Sequence, residues 1–99
     1  MTKLDIKPSY ASVKPAGFYV YIHLRTKTLE PFYVGKGSGN RGWHGSSSKS
    51  RSILWHRCAL KNGVTVEVVQ DGMTEDDAYL LEEWLIAKLR HEGCVLYNI

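Results

Sequence analysis

From Pro31 to Val66 the chain carries no acidic residue at all. Cysteine is almost as scarce: the only two, Cys58 and Cys94, are not in CxxC spacing. That excludes a disulfide-stapled scaffold and suits a reducing, intracellular setting. No apolar run approaches the roughly 20 residues that a membrane-spanning helix needs, and nothing resembles a signal peptide. Two of the three prolines fall in the leader MTKLDIKPSYASVKP, which has no sustained period. Residues 1–15 therefore read as an N-terminal arm, and 16–99 as one small domain.

What is present is a division of charge. The acid-free middle holds Lys36, Arg41, Lys49, Arg51, Arg57 and Lys61, whereas Glu67, Asp71, Glu75, Asp76, Asp77, Glu82, Glu83 and Glu92 follow it. A basic segment of this kind suits a phosphate polyanion, with a carboxylate-bearing element beside it. Two solvated faces of opposite sign would give the same charge count.

The order of elements is legible from periodicity. GFYVYIHLR and PFYVG alternate as strands joined through TKTLEP, a hairpin with a slightly long loop. A short helical turn is expected near Asn40 to His44, and a helix from about Ser50 to Lys61 stopped by Asn62-Gly63. VTVEVVQ reads as a third strand. MTEDDAYLLEEWLIAKLRHEG has Thr74 as N-cap, acids in the first turn, bases in the last and Gly93 as its stop. The class is α+β, a small three-stranded antiparallel sheet flanked by helices, in the order β-β-α-α-β-α.

Periodicity also sorts the side chains. Tyr19, Tyr21 and His23 share one strand face, with Phe18, Val20, Ile22 and Leu24 on the other; Tyr33 and Gly35 oppose Phe32 and Val34. At about 100° per residue, Ala78, Leu81, Leu85 and Leu89 form one helix stripe with Ile86 at its edge. Glu82 falls inside that apolar sector and Glu83 outside it. A carboxylate on an apolar stripe is costly unless it snorkels, pairs or binds a metal.

Two familiar readings fail. GSGNRG at 37–42 matches GxGxxG after a strand, but position 62 is asparagine where a dinucleotide site needs an acid, and no Walker A loop can be fitted. His56-x-Cys58 and His91-x-x-Cys94 lack zinc-site spacing, because residues two apart on a helix face different ways. A glycine loop with bare N–H groups, tyrosines, Lys36, Arg41, His44 and a misplaced carboxylate remains. That set suits phosphodiester hydrolysis, which needs a base for water, a cation for the phosphate and a divalent metal on the leaving oxygen.

In their order along the chain these residues resemble the GIY-YIG nucleases. Gly17-Phe18-Tyr19 stands where the family's first tripeptide belongs and Tyr33-Val34-Gly35 where the second does. Arg41, His44, Glu82 and Asn98 follow in sequence. AYLLEEWLI is similar to the family's helix pattern and selects Glu82 over Glu83, while LYNI is similar to its closing motif. The resemblance covers about 17–99. The gap between the tripeptides is longer than usual and the step from Gly35 to Arg41 shorter. FYVGKGSGNR is most similar to a branch that includes LEM-domain nucleases acting on branched DNA.

The resemblance implies a DNA endonuclease using one divalent metal, Mg²⁺ or Mn²⁺, held by Glu82. It implies Tyr19 as general base, Tyr33 and His44 positioning or relaying its proton, Arg41 on the phosphate, and Lys36 and Asn98 in support. Tyr21 shares Tyr19's face, so the choice of base between them stays open. Lys36, Arg41, Lys49, Arg51, Arg57 and Lys61 are the expected DNA contacts. The substrate it implies is DNA, branched or nicked forms included, and the expected setting is a monomer or homodimer in the cytoplasm or at the nucleoid. The alternative is a non-catalytic nucleic-acid-binding module with the same fold.

Overall fold

A computed structural model describes residues 15–43 and 51–98. Strand β1 (Phe18–Arg25) and strand β2 (Pro31–Ser38) form the hairpin, followed by a 3₁₀ turn at Arg41–Trp43. Helix α1 (Ile53–Asn62), strand β3 (Val64–Met73) and helix α2 (Glu75–His91) complete the chain. The sheet is antiparallel with order β2-β1-β3, so among the described residues β1 is central and β2 is an edge.

Local chemistry sets each boundary. The Ser52 hydroxyl accepts from Trp55 N–H at 3.1 Å to open α1, and Gly63, at φ 76°, closes it with an N–H to Ala59 O. Thr74 Oγ1 accepts from Asp77 N–H at 3.2 Å to open α2, with three acids in the first turn and Lys88, Arg90 and His91 in the last. β3 runs three residues past VTVEVVQ, to Met73, because Gly72 N–H pairs with Ala16 O ahead of β1.

The sheet is covered on both faces. On one, Val20, Ile22 and Val34 pack with Ala78 and Leu85 of α2 and with Leu96, and Leu81, Ile86 and Leu89 lie against them. This is the apolar stripe expected of α2. On the other, Phe32 joins Trp55, Cys58 and Ala59 of α1 and Val64. Simple alternation puts Phe32 with Val34, but the β1–β2 register slips between His23 and Leu24: His23 pairs with Tyr33 and Leu24 with Pro31, skipping Phe32. The extra residue turns Phe32 to the opposite face.

The tyrosine face is consequently a second core. Tyr19, Tyr21 and His23 are all within 1% of full burial, and Tyr21 is 5.1 Å from His23 and 6.3 Å from Tyr33 between ring centroids. Gly35 makes room for it: a Cβ there would lie 2.4 Å from the Tyr21 hydroxyl. Gly35→Ala is therefore expected to destabilise the fold by about 1–3 kcal/mol through overpacking, read as a lowered denaturation midpoint. An unchanged midpoint would show that Tyr21 can move aside.

Candidate active site

The outer edge of β2 is where the chain's polar groups collect. An edge strand exposes unpaired N–H and C=O groups, and here the C-terminal segment satisfies several of them. Tyr97 N–H donates to Phe32 O at 2.7 Å. Asn98 Oδ1 accepts from Val34 N–H at 3.0 Å while its Nδ2 donates to Val34 O at 2.6 Å. Two residues further along the same strand, the Lys36 N–H favours the ionised form of the nearby Glu82 carboxyl on α2. Asn98 is thus a clamp on the strand that carries Tyr33, Gly35 and Lys36.

Glu82 is half-buried and Glu83 exposed, as the helix period requires. Burial raises the pKa of the Glu82 carboxyl above its ordinary value; the Lys36 charge opposes this, Glu83 adds to it, and the Lys36 N–H again opposes. Lys36 Nζ lies 3.5 Å from Glu75 Oε2, a loose surface pair at the start of α2. Among the described residues no group of three or more His, Cys, Asp or Glu side chains converges. What the described residues offer here is one half-buried carboxylate, a donor that fits a hard divalent cation keeping most of its waters.

Across the ladder Tyr19 pairs with Gly37 and Val20 with Lys36. Tyr19 is fully buried. Its hydroxyl donates to Gly39 O at 2.8 Å and accepts from Gly42 N–H at 2.8 Å, so it staples both ends of the glycine loop. Gly42 is in contact range of the same ring, which a Cβ would approach to 3.2 Å. Burial raises the Tyr19 pKa, and the Gly42 N–H, Arg41 and Arg51 counter it in that order. Gly37 has a similar logic, since the Arg41 side-chain stem occupies the space its Cβ would take, 2.4 Å away. Arg41 is half-buried and held against β2 by that contact.

Comparison with known proteins finds no matching family model, curated protein or solved structure. The likeness to GIY-YIG nucleases therefore rests on the motif residues.

Those residues fall into two groups. Tyr19, Lys36, Arg41, Glu82 and Asn98 all engage β2 or the loop that leaves it. Tyr33, half-buried, stacks on His23 at 5.3 Å. His44 and Lys49 lie outside the described residues, as does the arm up to residue 14. Arg57 and Lys61 are exposed on α1.

Arg51 is not on the basic surface where its charge suggests it should be. It is 4% exposed. Its guanidinium lies 4.6 Å from the Tyr33 ring centroid and 5.2 Å from that of Trp55. It donates to the Tyr21 hydroxyl at 3.4 Å and to Arg41 O at 3.3 Å. A planar guanidinium is weakly hydrated and stacks on aromatic faces, which lets it enter such a box. Arg51 thus ties the tyrosine face to the Arg41 backbone.

His23 was visible as a member of the tyrosine face but not as its organiser. Trp55 Nε1–H donates to His23 Nδ1 at 3.0 Å, which leaves the proton on Nε2 to be donated to Gly42 O at 2.7 Å. Gly42 is thereby held at its carbonyl by His23 and at its N–H by Tyr19. The signal for it was the shared face of Tyr19, Tyr21 and His23; the partner Trp55 carried no spacing that could announce it.

Proposed function

We propose that this protein is a metal-dependent DNA endonuclease of the GIY-YIG type, hydrolysing a phosphodiester bond at the outer edge of β2. The observation that supports it is the meeting of two independent elements at one strand. The α2 carboxylate of Glu82 feels the charge and the backbone N–H of Lys36, and the neighbouring Gly37 lies against the Arg41 stem and pairs with Tyr19. A carboxylate from the α2 side of the sheet, and a guanidinium and a phenol from the other, thus reach consecutive backbone positions of β2.

In this reading Glu82 holds Mg²⁺ or Mn²⁺, which supplies charge stabilisation on the leaving oxygen when bound. Arg41, propped on Gly37, holds the negative phosphate oxygens, and Lys36 adds its charge beside them. Tyr19 takes the proton of the attacking water once it is a phenolate, with Tyr33 and His44 supporting it. The raised pKa makes the phenolate scarce at neutral pH, so the rate should rise with pH on the alkaline side. DNA is the substrate, with branched and nicked forms within reach of an edge-strand site.

One observation favours a non-catalytic nucleic-acid-binding module instead. The Tyr19 hydroxyl is buried and already engaged by Gly39 and Gly42, which makes it a loop staple as readily as a base.

Plasmid nicking in Mg²⁺ tests both readings. The purified wild type is expected to nick, faster as pH rises. Tyr19→Phe is expected to lose about 10²–10⁴-fold, the usual worth of a positioned base, and to lose the alkaline rise with it. A variant that is slower but keeps the rise assigns Tyr19 to holding the loop. Salt-sensitive DNA binding without nicking by the wild type would leave only the binding module.

A further inference from the structure

Three cationic side chains meet at the end of the hairpin away from the glycine loop. Arg25 of β1 with Arg57 and Lys61 of α1 lines a groove of about 400 Å³, together with Tyr97 and, among the described residues, a single acid, Glu30. Arg57 and Lys61 are one helical turn apart, on the same face and exposed. Arg25 is held in place: one N–H engages Pro31 O at 2.9 Å, and the guanidinium lies 5.5 Å from the Phe32 centroid and 5.8 Å from that of Tyr97. Its orientation is therefore fixed before any ligand arrives, which lowers the entropic cost of binding.

Tyr97 connects this groove to the candidate active site. Its N–H bonds Phe32 O, and its neighbour Asn98 clamps Val34 on the same strand edge. We infer that the Arg25–Arg57–Lys61 groove is a second phosphate-contacting site, which holds the nucleic-acid backbone on one flank of the bond at β2. It rests on the nucleic-acid reading above and adds where the flanking strand runs. Tyr19 and Arg25 are six residues apart on β1, about 20 Å at about 3.3 Å per residue. That is the length of about six base pairs of duplex. The groove is thus an outlying contact that a short substrate would miss.

The experiment measures binding of a labelled DNA duplex by fluorescence anisotropy without divalent metal, across a salt series, for the full chain. Arg57→Gln/Lys61→Gln is expected to weaken binding about tenfold or more at low salt and to reduce the slope of log affinity against log salt by about 2. Lys88→Gln, on α2, is expected to match the wild type. Trimming the duplex to fewer than about six base pairs on the flank should weaken the wild type but not the double variant. Circular dichroism checks that both variants are folded; their altered side chains are solvent-exposed.

An unchanged affinity and slope in the double variant would overturn the groove whatever the nicking result, and so would an equal loss in Lys88→Gln. Binding of polyglutamate in place of the duplex would overturn it in favour of an acidic protein partner. A wild type that binds DNA through this groove but does not nick leaves the groove standing and removes the nuclease. The two failures are therefore separable.

Discussion

Glu82→Gln is expected to slow Mg²⁺-dependent nicking by about a hundredfold or more while DNA affinity stays within a few-fold of the wild type. The amide keeps the size of the side chain and a hydrogen-bond acceptor beside the Lys36 N–H. What it removes is the charge that would hold a divalent cation. Losing about 3 kcal/mol of transition-state stabilisation from that cation corresponds to about a hundredfold in rate. The substitution should not destabilise the fold, because burial already disfavours the ionised carboxyl at this half-buried position. A thermal midpoint equal to or above that of the wild type, with nicking lost and binding kept, would place Glu82 in the chemistry. Nicking at the wild-type rate would remove it, and with it the metal centre.

The same carboxyl sets the acid limb of the profile. Its folded pKa is raised, so the ionised form is lost at a higher pH than for an ordinary glutamate. A bound cation stabilises that ionised form, so nicking should persist to lower pH as Mg²⁺ is raised, proton and cation competing for the one carboxylate. With Tyr19 limiting from the alkaline side, the working range is expected above neutrality.

Most of the architecture was legible because two periods dominate the sequence. Alternation gave β1, β2 and the segregation of the tyrosines; the helical period gave α2 and isolated Glu82 from Glu83. Phe32 could not be placed by alternation, since the slip between His23 and Leu24 depends on how the hairpin loop closes. Arg51 was misread for a related reason. Charge alone assigns an arginine to the surface, and only the rings of Tyr33, Trp55 and Tyr21, gathered from separate elements, create the box that receives it. The site's polar edge was half legible: Asn98 and Glu82 could be singled out, but not that Asn98 bonds to the backbone of β2, because edge-strand groups have no sequence signature of their own.

Acidification is expected to destabilise the fold by up to about 5 kcal/mol through His23 alone. Burial, then the Arg51 charge, lowers its pKa from 6.5 to about 3, against a smaller opposing effect of the Gly42 carbonyl. The unfolded chain takes up the proton near 6.5 and the folded one only near 3. Stability is complete above the unfolded value and is lost as pH falls through the interval between them. That interval of about 3.5 units, at about 1.36 kcal/mol each, gives the figure. It is comparable to the whole stability of a small domain, about 5–15 kcal/mol. The structural reason is direct, since a proton on Nδ1 would face the Trp55 Nε1–H that now donates to it. Denaturant titrations between pH 6.5 and 4.5 should show the wild type losing about 1.4 kcal/mol more per pH unit than His23→Phe, one proton's worth. Parallel slopes would sink the assignment. Because a proton on Nδ1 removes the Trp55 bond while the Nε2–H keeps its hold on Gly42 O, the packing of Trp55 against His23 should loosen first, and near-ultraviolet dichroism of the aromatic rings should fall before helical signal does.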